Sequence, residues 1–238
     1  MQKNRNEGKQ LNKTGFVSSI LLAILTASTF IIAILTPPIS GPFSTGAAIT
    51  YPYTDIISRF PRDYYWMYPA MLLVFIFVVY VIFVGKDARK DQKVYGTAAL
   101  SFACISAGII FVDYFVQVSV IQPSLIYGEY EAIALFTQYN PHGLFIVLEE
   151  AGYLLMSVAM LFLTPIFAGP GKIRTALRWT SLLNFIFSIL SLIIISIIYG
   201  ISREYRFEVA VISFNFIALI LVGLLSAILY FYQGTTKR

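Results

Sequence analysis

Charge is scarce in this chain. Asp, Glu, Lys and Arg together make up 12% of its 238 residues, about half the share in globular proteins. With 58% hydrophobic residues and a mean hydropathy of +0.77, so little charge excludes a water-soluble domain, because the polar residues are too few to cover that much apolar side chain. It also excludes disorder, which needs low hydrophobicity and high charge. The single cysteine excludes a disulfide framework and a thiolate metal cage. The single histidine excludes the multi-histidine metal sites of membrane hydrolases, and a haem or zinc held between helices. The chain has no Gly-x-Ser-x-Gly elbow, no His-Glu-x-x-His, no P-loop and no dinucleotide-binding glycine fingerprint. No metal or cofactor is therefore expected, and no catalytic residue can be named.

What the sequence does have is long apolar runs, at 16–35, 67–84, 95–121, 144–167, 181–198 and 209–230. Each is long enough to cross a bilayer as a helix, and none shows the ten-residue alternation of a barrel strand. In lipid only a helix or a closed barrel satisfies the backbone, so the fold class is an all-α polytopic membrane protein, a six-transmembrane-helix bundle. The divisions are a basic cytoplasmic N-terminus over 1–15, one membrane domain over 16–230 and a cytoplasmic tail over 231–238. The first run follows Lys3, Arg5, Lys9 and Lys13, as in a signal peptide. It is too long for one, however, and Pro37-Pro38 follows where a cleavage site would lie, so it reads as an uncleaved helix. The two halves show no internal similarity that would mark an inverted repeat.

The basic residues set the orientation. Thirteen of the 17 Lys and Arg lie at the N-terminus, in 86–93, in 172–178 and at the C-terminus, leaving Arg59, Arg62, Arg203 and Arg206 for the other side. Both termini are therefore read as cytoplasmic and the location as the plasma membrane. The net charge of +5 is a topology signature, with no aromatic-interleaved basic patch for nucleic acid. The outer side carries Asp55, Asp63, Glu129, Glu131, Glu204 and Glu208. Its aromatic cluster, from Tyr51 to Tyr68, reads first as an interfacial belt and second as a lid. Residues 54–60 suggest an amphipathic turn capped by Thr54. Residues 129–138 suggest a short interfacial helix with acids at its start.

Within the spans the informative residues are ionisable. Ser106, Asp113 and Gln117 share one face of span three; His142, Glu149 and Tyr153 share one face of span four, with Glu150 turned about 100° away. Asp113 lies roughly 12 Å below Ile121 and Glu149 roughly 8 Å below Leu144, in the same half of the bilayer. A mid-helix carboxylate costs about 2.5–3.5 kcal/mol to insert, so intramembrane carboxyls are functional candidates by default. The candidate proton, cation or ligand site is therefore Asp113, Gln117, Glu149, Glu150, Tyr153 and His142, in an outward-facing polar pocket between spans three and four. The competing account has the acids simply hydrogen-bonded between helices or in the headgroup zone, and His142 alone reads best as part of a helix-entry turn. Two carboxyls in one cavity would share a proton and titrate as a unit.

Other polar and small residues read as packing. Ser181, Asn184, Ser188 and Ser191 form a narrow seam; Ser19, Ala23 and Ala27, then Ala99, Ala103 and Ala107, then Gly223 and Ala227 recur at four-residue spacing. Asn215 could bond another helix or line the pocket. Pro165 ends or kinks span four, and Cys104 reads as an inert buried thiol. The function these features suggest is a small proton- or cation-linked carrier or ligand-binding protein, with membrane lipids and a small solute or cation as partners. One alternative is an intramembrane enzyme acting on a lipid or isoprenoid through a carboxyl pair. The other is a membrane-complex subunit or assembly factor.

Overall fold

The computed structural model describes residues 2–36, 49–131 and 133–236. Pro37-Pro38 and the terminal Lys237 and Arg238 lie outside the described residues. Helix accounts for 84% of the protein, and the described residues contain no strand. The long helices are α1 (Gln2–Leu35), α2 (Met67–Lys86), α3 (Lys93–Val116), α6 (Leu144–Leu163), α7 (Lys172–Tyr199) and α8 (Tyr205–Thr236). Two short ones, α4 (Gln122–Tyr127) and α5 (Ile133–Phe136), lie in the connection between α3 and α6. Six helical segments are long and apolar enough to cross a membrane.

The bundle closes on itself. α1 runs antiparallel to α8, so Gly15 meets the Tyr230 ring, Gly223 meets Ser19 and Ala23, and Phe30 meets Phe216 edge-on at 5.5 Å. The start of α1 and the end of α8 therefore share one end of the bundle. From α1 the ring continues through α2, α3, α6 and α7 back to α8, with α6 also touching α8 across the interior. The four-residue small-residue stripes supply the close approaches. Ala99, Ala103 and Ala107 are buried, and Gly152 lies against Ile110, where a Cβ would overlap the isoleucine side chain. At the end of the bundle carrying the termini, the Gln92 side chain donates to the Pro165 carbonyl (2.8 Å), tying the α2–α3 and α6–α7 connections together.

Burial ranks the helices. Of the most apolar stretch of each, 56% is buried in α6 and only 17% in α7. α6 is thus central, and α7 presents Leu183, Phe187, Leu190, Ile193 and Ile194 outward. Its inward stripe is the expected seam: Ser181, Asn184 and Ser188 are buried, and Asn184 donates to Asn215 at 3.1 Å. Asn215 in turn donates to the Tyr153 carbonyl at 3.0 Å, so it joins α7 and α8 to α6.

α1 takes in the basic segment 2–15 and α8 takes in residues 231–236. Elsewhere local expectations are corrected in part. α6 stops at Leu163, two residues before Pro165, which cannot donate the next helical bond. Cys104 is exposed on the outer face of α3, since Ala103 and Ala107 take the buried stripe. The 54–59 turn forms as a 3₁₀ turn, but Tyr53 at φ 67° precedes it and no side chain caps it. Among the described residues of 129–138 only Ile133–Phe136 is helical; Glu129 and Glu131 lie before it, outside the helix.

Candidate functional site

At the end of the bundle opposite the termini, a cavity of about 270 Å³ lies between α1, α6 and α8. The last turns of α1 contribute Phe30, Ala33, Ile34 and Thr36; the turn before α2 contributes Asp63 and Trp66. α6 supplies Phe145 and Glu149, while α8 supplies Tyr205, Glu208, Val209, Ile212, Ser213 and Phe216. Gln138 and Tyr139 complete the wall from the connection between α5 and α6.

Two carboxyls meet on this wall. Glu149 and Glu208 are 1% and 9% exposed and face one another within hydrogen-bonding reach, an approach that two carboxyls make favourably only with a proton between them. The Tyr114 hydroxyl donates to Glu149 Oε1. Having given its proton there, it accepts one from Tyr153, whose hydroxyl is 3.0 Å away. A chain of exchangeable hydrogens thus leads from the cavity wall into the packing layer between α3 and α6. Asp113 lies behind Glu149, buried and close enough to repel it, with Oδ2 lacking a hydrogen bond. Trp66 packs edge-on against Tyr114 at 5.0 Å and connects the cavity to this layer.

Beside this cluster, Glu150 turns away and forms an ion pair with Arg203, whose guanidinium also lies over the Phe207 ring at 5.4 Å. This keeps the arginine off the Glu149–Glu208 pair. The roof of the cavity is held by polar side chains. Gln117 donates to the Phe136 carbonyl and accepts from the Gln138 N–H (3.1 Å), while Tyr205 donates to the Gln138 carbonyl (3.2 Å). Tyr139 donates to Asp63 Oδ2 at 3.0 Å. Burial, reinforced by Tyr64 and Asp63, pushes the Tyr139 phenol well above its ordinary range, so it remains a donor. Gln117 sits in a π turn, Gln117–Ile121, that widens the helix where its side chain reaches the roof.

Of the six candidate residues, only Glu149 lines the cavity. Asp113 and Tyr153 stand behind it, Gln117 positions the roof, and Glu150 is taken up by Arg203. His142 is exposed in the turn that opens α6, its backbone N–H donating to Asn140 Oδ1 at 2.9 Å. The pocket expected between spans three and four therefore lies on the other side of α6, because α3 and α6 pack too closely to leave room: Ser106 bonds the Gly152 carbonyl at 2.7 Å. Two participants were missed, Tyr114 and Glu208. Tyr114 continues the buried stripe of Ala103, Ala107 and Ile110, and Glu208 shares a face with Asn215 seven residues on; both spacings are visible in the sequence. Among the described residues, no group of three or more His, Cys, Asp or Glu could hold a metal ion. Compared with protein-family models, curated proteins and solved structures, this chain matches none.

Proposed function

We propose that this integral membrane protein binds a small solute or cation in the cavity between α1, α6 and α8, and carries it across the plasma membrane in exchange for a proton. The observation that carries this reading is the Glu149–Glu208 pair, two buried carboxyls sharing a cavity wall. Buried like charges that close cannot both ionise without compensation. A positive charge entering the cavity supplies that compensation, so one proton leaves as one positive charge arrives, and the proton returns when the site empties. Tyr114 and Tyr153 give the proton a route along hydroxyls, and Asp113 adds the repulsion that favours its retention in the empty site. The 13-to-4 division of basic residues supports cytoplasmic termini and a cavity on the outer side.

The test is proton flux in vesicles holding the purified protein and a pH-sensitive dye. A panel of solutes and cations added outside should include one that drives protons outward, and Glu149→Gln and Glu208→Gln should each abolish that flux while the folded protein remains. A panel that moves no protons through the unaltered protein overturns the carrier reading. One feature favours an enzyme instead: the cavity wall is mostly apolar, which suits a lipid or isoprenoid held against an acid–base pair. A changed lipid profile on expression, absent in the Glu208→Gln variant and without proton flux, would establish that alternative.

A further inference from the structure

We propose that the ligand of this cavity is a monovalent organic cation with an apolar body, seated with its positive head between Glu149 and Glu208. This rests on the binding reading above and assigns its chemical class. Size fits an organic molecule better than a bare ion, since a cavity of about 270 Å³ has the room of about nine waters. Coordination excludes a hard metal ion. Calcium takes six to eight oxygens, whereas the described residues offer no cluster of three metal-ligating side chains. An anion is disfavoured because no Lys, Arg or His is among the lining residues. Around the wall, Arg203 pairs with Glu150, Arg62 pairs with Asp63, and Arg59 stands near Tyr139 without lining the cavity.

A neutral apolar ligand would leave the Glu149–Glu208 pair without a counter-charge. A third acid, Asp63, is 6% exposed and lines the cavity, but it already has Arg62 Nε at 3.6 Å from Oδ1 and Tyr139 donating to Oδ2, so the pair is the unmet negative site. Six other lining residues, Phe30, Trp66, Tyr139, Phe145, Tyr205 and Phe216, contribute aromatic rings, and most of the remainder is aliphatic. Ring faces attract a weakly hydrated cation, most strongly where water is excluded. Carboxyls for the charge and rings for the body together describe an ammonium group on an apolar frame.

The test uses Trp66 as the reporter in a Trp179→Phe background, which removes the only other tryptophan, exposed on α7. The protein in detergent is titrated with benzyltrimethylammonium, benzyl alcohol and benzoate. The cation should give a saturable change in Trp66 fluorescence at least about tenfold tighter than the alcohol, equivalent to about 1.4 kcal/mol, and benzoate should give none. Glu208→Gln should weaken the cation at least about tenfold and leave the alcohol unchanged. If that variant does not fold, the charge series on the unaltered site decides alone. A phosphocholine arm identifies the source: binding as tight as the cation assigns a lipid headgroup, weaker binding a free cation, and both support the charge assignment. Equal affinity for alcohol and cation, or a preference for benzoate, overturns the organic-cation inference while leaving a binding cavity. No response to any of these probes overturns it too, and if no solute or lipid raises the melting temperature either, the binding reading falls with it.

Discussion

The hydroxyl of Tyr114 serves two partners, donating to Glu149 and accepting from Tyr153. Its removal leaves one buried carboxyl and one buried phenol short of a bond, whereas removal of the Tyr153 hydroxyl costs only the bond to Tyr114. Tyr114→Phe should therefore destabilise by about 1.5–3 kcal/mol, and Tyr153→Phe by about 1 kcal/mol. Thermal melts of the two variants in one detergent check the order, and equal melting temperatures would mean the hydroxyl relay is not held as described. How far such details can be read from sequence varies with the residue. Asp113, Glu149 and Glu150 stand out because a carboxyl inside an apolar run is conspicuous. Glu208 does not, because Arg203, Glu204 and Arg206 set the start of the last apolar run at residue 209, so that Glu208 reads as a loop acid. The helix in fact begins at Tyr205, which puts Glu208 in its first turn and faces it inward. The ion pair between Glu150 and Arg203 joins residues 53 apart and follows from how α6 and α8 meet, which no local spacing encodes.

Helix count is legible because hydropathy alone determines it, whereas limits such as the starts of α1, α7 and α8 are not, because those helices run on through charged residues; the four-residue stripes mark where helices touch. Which helices touch is a different matter, since several small-residue stripes could pair with one another. The α1–α8 crossing decides the case of Gly223. A Cβ there would stand 2.8 Å from the Ser19 carbonyl oxygen and 3.0 Å from the Ala23 N and Cβ, mostly backbone that cannot rotate away. Gly108, on the exposed side of α3, has nothing within 4 Å of the same position. Replacing a mid-helix glycine by alanine gains about 0.5–1 kcal/mol where space allows, and overpacking costs about 1–3 kcal/mol. Gly108→Ala should thus raise the melting temperature and Gly223→Ala lower it. Shifts of the same sign would place the α1–α8 contact elsewhere. The α3–α6 connection was the least legible stretch, because its order comes from side chains that bridge distant positions: Gln117 at its start bonds Phe136 and Gln138, Tyr139 reaches out to Asp63, and Tyr205 reaches in from α8.

Six helices long and apolar enough to cross would, if all do so, place both ends of the chain on one side, and the division of basic residues predicts the cytoplasmic side. A reporter fused after residue 238 should therefore be found in the cytoplasm, and one inserted within 128–131 outside it; an external C-terminus would reverse the orientation and put the cavity on the inner face. The fold also has a consequence in time. A ribosome delivers about 5–20 residues per second, so the 53 residues between Glu150 and Arg203 correspond to a wait of several seconds. During that interval α6 has left the ribosome with two adjacent acids and no arginine to meet them, and Glu208 emerges later still. The first four crossings can pack by small-residue stripes, but the acid layer closes only when the α7–α8 hairpin arrives. A nascent chain halted before residue 203 would hold a half-assembled bundle with Glu150 unpaired and Glu149 without Glu208.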